Sequence, residues 1–226
     1  QVLIDVGCAL ADADRQTDAE WCFRRAVELG ETWASYNLGI ALAAQERWQE
    51  AVAAYEAALQ VGETDAWLAL GCALSQLGDL AGSIRALREG IVAGDSEAAL
   101  ELAFMLREQG ERDQADVLAR RAAEMGNQTA KGVIACWAWD RTLDPRLETA
   151  LREGADHYPS ARADLADLLT TTGRAEEARS VLELGTKLGE VVCWLPLGNL
   201  CLDEFNDEVA AESAYRQGIA AGDAYG

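Results

Sequence analysis

The 33 residues GETWASYNLGIALAAQERWQEAVAAYEAALQVG, from Gly30 to Gly62, decide the fold. Between Ala34 and Leu42 the apolar positions recur three or four residues apart, as on one face of a helix. Ala51, Tyr55, Ala58 and Leu59 repeat that spacing and predict a second amphipathic helix, with residues 45–49 as the turn between the two. The Leu38-Gly39 pair recurs along the chain. Its second residue, or a small replacement, falls at Gly7, Gly39, Gly71, Ala103, Ala135, Ala166 and Gly198, at spacings of 32, 32, 32, 32, 31 and 32. The closing glycine recurs at Gly30, Gly62, Gly94, Gly126, Gly189 and Gly222, at spacings of 32, 32, 32, 63 and 33. Two ladders with one period define seven repeats: 1–30, 31–62, 63–94, 95–126, 127–158, 159–189 and 190–222.

The links are equally explicit. In Gly30-Glu-Thr32, Gly62-Glu-Thr64 and Gly94-Asp-Ser96 the glycine ends a helix in a left-handed conformation, and the hydroxyl two residues on is expected to cap the next. The equivalents of the turn within a repeat carry Gly78, Gly110 and Gly173. Links this short make neighbouring helices antiparallel. A lone pair of helices cannot bury its apolar face, and stacking on the next copy buries it. Ala19, Ala26, Ala51, Ala58, Ala115, Ala122, Ala178 and Gly185 supply small residues where helices meet. The expected fold is therefore all-α, an α-solenoid of seven antiparallel two-helix repeats in one repeat domain.

Repeat five departs most. Trp137, Trp139 and the run Asp140 to Pro145 replace its turn, and Pro145 suits the first turn of a helix. Pro196 means that its helix starts late, near Cys193, or kinks. The chain opens at Gln1 without Met, and Val2, Leu3, Val6 and Leu10 form an apolar end without a polar cap. These features read as a segment of a longer protein, or as a surface for end-to-end association of copies.

At this point the repeats resemble tetratricopeptide repeats. Leu38, Gly39, Ala51, Tyr55 and Ala58 fit one copy, Trp67, Leu70, Gly71, Ser83, Leu87 and Gly90 fit a second, and Trp194, Leu197 and Gly198 begin the last. The phrase from Arg25 to Gly30, followed by Tyr36 to Gly39, is more similar to the Sel1-like relatives. The 32-residue period is shorter than in either family. The resemblance implies a right-handed superhelix whose first helices line a concave groove, acting as a scaffold for a protein partner. Carried over by register, the groove positions are Trp33, Tyr36 and Ile40, then Asp65, Leu68 and Cys72, then Glu97, Leu100, Phe104 and Arg107, and Thr129, Cys136 and Trp139. Trp67 and Trp137 read first as inter-helix core, whereas Trp33, Tyr36 and Phe104 suit either core or groove.

Charge narrows the partner. Lys and Arg total 19 and Asp and Glu total 39, a net charge of −20. Such a chain lacks the basic surface that nucleic acid or an anionic membrane requires. No apolar run reaches the roughly 18 residues of a membrane span. Aromatic anchors in an acidic field favour a basic, amphipathic peptide or helix, although the same charge also serves as a solvated surface. Six cysteines make no dense disulfide framework, and the cytoplasm, of a bacterium by its Ala-rich and Lys-poor composition, is the default compartment.

Chemistry finds little material. His157, the single histidine, reads as a surface residue. Asn37 and Asn199 lack the neighbouring lysines of a clamp for peptide C-termini. Cys193 and Cys201 lack further zinc ligands, and the acidic run from Asp203 to Glu208 lacks the spacing of a calcium loop. The expected function is a non-enzymatic protein-binding scaffold without cofactor or metal. The second reading is a regulatory arm of a larger protein that controls a fused effector domain.

Overall fold

The computed structural model describes residues 2–222. Among them fourteen α-helices follow one another: α1 (Val2–Asp12), α2 (Gln16–Glu28), α3 (Ala34–Ala43), α4 (Trp48–Gln60), α5 (Ala66–Gln76), α6 (Leu80–Ala93), α7 (Ser96–Glu108), α8 (Arg112–Glu124), α9 (Gln128–Thr142), α10 (Glu148–Gly154), α11 (Pro159–Thr171), α12 (Ala175–Lys187), α13 (Trp194–Asp203) and α14 (Glu208–Ala220). Strands are absent from the described residues. Two compact units divide inside α8, Gln1–Leu118 and Ala119–Gly226. In the first unit each helix from α1 to α7 packs on the next, and first helices also meet, α1 with α3, α3 with α5 and α5 with α7. In the second unit the same order runs from α9 to α14, with α9 on α11 and α11 on α13. This packing of consecutive helical hairpins is the solenoid expected from the ladders.

At the four glycine rungs of the Leu-Gly ladder the first helix meets a large side chain of its own second helix. A Cβ on Gly7 would run into the ring of Phe23, on Gly39 into Tyr55, on Gly71 into Leu87 and on Gly198 into Tyr215. The eight small residues expected between helices are all buried. Close approach of this kind gains dispersion contacts that a larger residue would forfeit through strain.

Turn geometry is kept where glycine is missing. Gly78, Gly110 and Gly173 have positive φ, and at the corresponding turns Asp14, Glu46, Leu143 and Asn206 adopt φ of 58°, 57°, 48° and 51°. The hydroxyl caps do not form. Ser96 is the first residue of α7, and Asp95 caps that helix by accepting from the N–H groups of Glu97 and Ala98. Asn127 caps α9 in the same way through Ala130. Both residues sit one place nearer the glycine, in the extended conformation from which a short side chain reaches the first free N–H groups. Helices α3 and α5 start two residues beyond Thr32 and Thr64 and have no side-chain cap.

The prolines stand at helix starts. Pro159 opens α11, Pro145 opens a 3-10 turn ahead of α10, and α13 begins late enough to place Pro196 in its first turn. There its missing N–H removes no helical bond. Each unit also carries one ion-pair network between successive second helices. Glu20 accepts from Arg24 at 2.8 Å and Arg47 at 2.6 Å, and Arg24 and Arg47 both reach Glu50. Glu148, Arg152, Arg174 and Glu177 form the matching set between α10 and α12.

Candidate partner-binding surfaces

Trp33 occupies the position before α3 in a left-handed conformation, φ 67° and ψ 0°. A bulky L-residue there costs about 1–2 kcal/mol. Two side-chain hydrogen bonds help to hold it. Its N–H donates to Glu63 Oε1 at 2.5 Å, and its carbonyl accepts from Asn37 Nδ2 at 2.8 Å. Glu63 is itself buried, and its Oε2 has no hydrogen-bond partner. The strained backbone leaves the indole 40% exposed. The indole meets Tyr36 edge-on with ring centroids 6.2 Å apart, and Tyr36 leans on Tyr55 at 6.0 Å.

Carboxylates gather around this aromatic pair. Burial, and then the charges of Asp65, Asp95 and Glu97, push the Tyr36 hydroxyl above the ordinary tyrosine range. Asp65 and Asp95 border a hollow of about 310 Å³ together with Thr64 and Gly94. Farther along α5 and α7, burial lifts the Cys72 thiol to about 11, with Glu101 and Asp95 adding to it. Burial and Glu108 raise the Glu101 carboxyl as well. Asp95 and Glu101 are absent from the set carried over by register. Asp95 was masked by its place in the link and its capping role, and Glu101 lies one helical turn before Met105 on a helix that otherwise reads as core.

The expected residues divide by burial. In the first unit Ile40, Asp65 and Glu97 are exposed, and Leu68, Phe104 and Arg107 are half-buried. Leu100 is only 7% exposed. It belongs to the buried run Ala98, Ala99 and Leu100 at the start of α7, so it is core and offers no groove surface. Trp139, in the second unit, is 3% exposed, and its Nε1 donates to Asp167 Oδ2 at 3.0 Å. Its indole is spent on packing α9 against α11, and it too is core. Trp137 is buried and Trp67 half-buried. Cys136 is buried, and Thr129 Oγ1 donates to the His157 carbonyl at 3.5 Å.

The second unit has a surface that the carried-over set missed. A cavity of about 470 Å³ opens between α11 and α13. Leu182, Leu195, Pro196 and Leu200 form its apolar walls. Asp164, Asp167, Asn199, Asp203 and Glu204 supply its polar groups. Asp164 accepts a hydrogen bond from the Cys136 thiol. Burial first, then Asp140 and Asp167, push its carboxyl up to about 6, against the lowering effect of that thiol. The register was legible: allowing for the deleted residue, Asp164 and Asp167 continue the positions of Glu101 and Phe104.

Burial raises the thiols of Cys8, Cys72, Cys136 and Cys193, which opposes the thiolate that a nucleophile needs. No group of three His, Cys, Asp or Glu side chains among the described residues is placed to hold a metal. No helix among them is long and apolar enough to cross a membrane.

Comparison with known proteins agrees with the repeat grammar. Residues 34–64 and 64–91 each match a tetratricopeptide repeat model. In sequence no curated protein matches the chain. Among solved structures, a Sel1 repeat protein from Oxalobacter formigenes has a TM-score of 0.74 at 18% identity, over 96% of this chain and 99% of that one. A protective antigen of uropathogenic Escherichia coli with an SLR fold has a TM-score of 0.68 at 20% identity, over 98% of this chain and 53% of that one, so the chain spans about half its length. A tetratricopeptide repeat protein from Parabacteroides merdae has a TM-score of 0.65 at 15% identity, over 97% of this chain and 92% of that one. Repeat folds of this kind generally serve as scaffolds for protein–protein interaction. By its ladders, its consecutive helical hairpins and these matches, the chain resembles tetratricopeptide and Sel1-like repeat proteins and shares their fold.

Proposed function

We propose that this protein is a non-enzymatic scaffold that binds a basic, amphipathic peptide or helix of a partner protein through the first-helix face of its first unit. One observation carries this reading: Trp33 is held in a strained backbone by hydrogen bonds with two side chains, Glu63 and Asn37, with its indole exposed beside Tyr36 and its flanking carboxylates. Strain is retained where the surrounding structure enforces it, and such sites cluster at ligand-binding positions. The face of an indole also attracts a cation, and Asp65, Asp95 and Glu97 supply the complementary charge. Ile40, Leu68 and Phe104 supply the apolar half of an amphipathic partner. The acidic field speeds encounter and rejects acidic competitors, while the buried rings set the affinity.

The test is fluorescence anisotropy with two labelled synthetic helices, LKKLLKKLLKKL and LEELLEELLEEL, titrated with the full chain. The lysine peptide should bind, weaken as salt rises, and exceed the glutamate peptide by at least about tenfold. Loss of one large buried ring corresponds to about 10- to 100-fold in affinity, so Trp33→Ala should reduce binding by that factor while helicity stays constant. Equal binding of the two peptides, or undiminished affinity in Trp33→Ala, would overturn the proposal.

A further inference from the structure

We infer that the cavity between α11 and α13 receives the cationic side chain of an arginine or lysine from the partner. This rests on the reading of the chain as a scaffold for basic segments, and it adds a second contact on a separate unit with a stated residue chemistry.

The cavity matches such a side chain in size, polarity and charge. Its volume of about 470 Å³ falls within the usual range for sites that enclose a small ligand group. Leucines and a proline line one part, as the aliphatic stem of arginine or lysine requires. Asp164, Asp167, Asp203 and Glu204 border the rest, and no arginine or lysine is among the lining residues. The polar groups are held rather than loose. Trp139 donates to Asp167, and the Tyr215 hydroxyl donates to Asn199 Oδ1 at 2.8 Å. A bare divalent ion is a poor occupant, because it needs several oxygens converging on one point, and no such convergence occurs among the described residues. An extended organic cation can instead address carboxylates spread around the walls. Burial and the neighbouring Asp140 and Asp167 also hinder ionisation of Asp164. An entering cation relieves that repulsion, so occupancy should release a proton and weaken as the pH falls below about 6.

The experiment is a ¹H–¹⁵N correlation titration of the full chain with N-acetyl-arginine amide, with N-acetyl-citrulline amide as a neutral probe of nearly the same shape. Arginine amide should shift amides within 163–170 and 195–204, and bind there at least tenfold more tightly than citrulline amide. This preference should shrink at least threefold between pH 7.5 and pH 5, and vanish in the double variant Asp164→Asn with Asp203→Asn, whose spectrum outside the cavity reports that it is folded. The pH arm needs no variant, so the inference remains testable should the double variant misfold. Equal binding of the two probes, or an arginine preference that survives both pH 5 and the double variant, would overturn it. Shifts confined to 33–40, 65–72 and 95–108 would overturn the cavity assignment while supporting the first-unit proposal. Shifts confined to 163–204 would support the cavity assignment, while failure of the first-unit reading shows separately as equal binding of the lysine and glutamate peptides.

Discussion

Replacing Trp33 by alanine and, separately, by glycine divides the two roles that the structure gives this residue. Both variants lose the same indole, including its edge contact with Tyr36, so the side-chain cost cancels in the comparison. What differs is the backbone. At φ 67° an alanine Cβ meets the following carbonyl, and glycine has no Cβ to clash. The left-handed conformation costs an L-residue about 1–2 kcal/mol. Glycine loses more chain entropy on folding, about 0.5–1 kcal/mol in ordinary backbone, and this offsets part of the gain. The expected result is that Trp33→Gly is more stable than Trp33→Ala by about 0.5–1 kcal/mol. For a chain of 226 residues that is about 1–4 °C in melting temperature. Differential scanning calorimetry on the two variants measures it. Binding of the lysine peptide should fall equally in both, because both lack the ring. A more stable alanine variant would refute the left-handed assignment. A glycine variant that binds as well as the parent would refute the role of the indole.

Three other outcomes follow from the packing and the charges. The Asp164 carboxyl titrates at about 6 in the folded chain and near 4 when unfolded, so the native state binds the extra proton between those values. Its stability contribution therefore falls as pH rises through that window, with the full penalty above about 6 and none below about 4. Asp164→Asn, which still accepts from Cys136, should raise stability at pH 7.5 by about 1–3 kcal/mol and change it little at pH 4; urea unfolding at both pH values measures this, and a loss at pH 7.5 contradicts it. Gly39→Ala gains about 1 kcal/mol of helix propensity but presses on Tyr55, at about 1–3 kcal/mol. Paired with Tyr55→Leu it should show a favourable coupling of about 1 kcal/mol in a double-mutant cycle, and an additive cycle would deny the close approach. Glu20 is buried, yet hydrogen bonds from Arg24, Gln45 and Arg47 hold its carboxyl below the usual range. Glu20→Gln should destabilise the first unit by about 1–3 kcal/mol, seen as faster amide exchange in α2 and α4, and unchanged exchange would show the network to be ornamental.

The hairpin ladder was legible because one residue type does one job at each rung. A glycine at 7, 39, 71 or 198 is demanded by the ring or leucine opposite, so its period survives in sequence. The turn at 46 was legible only by register, since Glu46 adopts the left-handed conformation without looking like a glycine. The caps were misread because Asp95 and Asn127 stand next to the glycine, where the hydroxyl residues looked equally suitable. Site residues were harder. Trp33 and Trp139 were both carried over as groove aromatics, but exposure separates them. Backbone strain turns Trp33 outward, whereas Asp167 gives the Trp139 indole N–H a partner and lets it stay inside. Leu100 shares its register with Tyr36 and Leu68, yet the neighbouring alanines draw α7 close enough to bury it.

The measurement that bears most directly on the central claim is photo-cross-linking of the lysine peptide, carrying a benzophenone at its centre, to the full chain, with the adducts located by mass spectrometry. The account predicts adducts on α3, α5 and α7, at Trp33, Ile40, Leu68 and Phe104 or their immediate neighbours, and their loss in Trp33→Ala. Adducts confined to the second helices α2, α4 and α6 would contradict it.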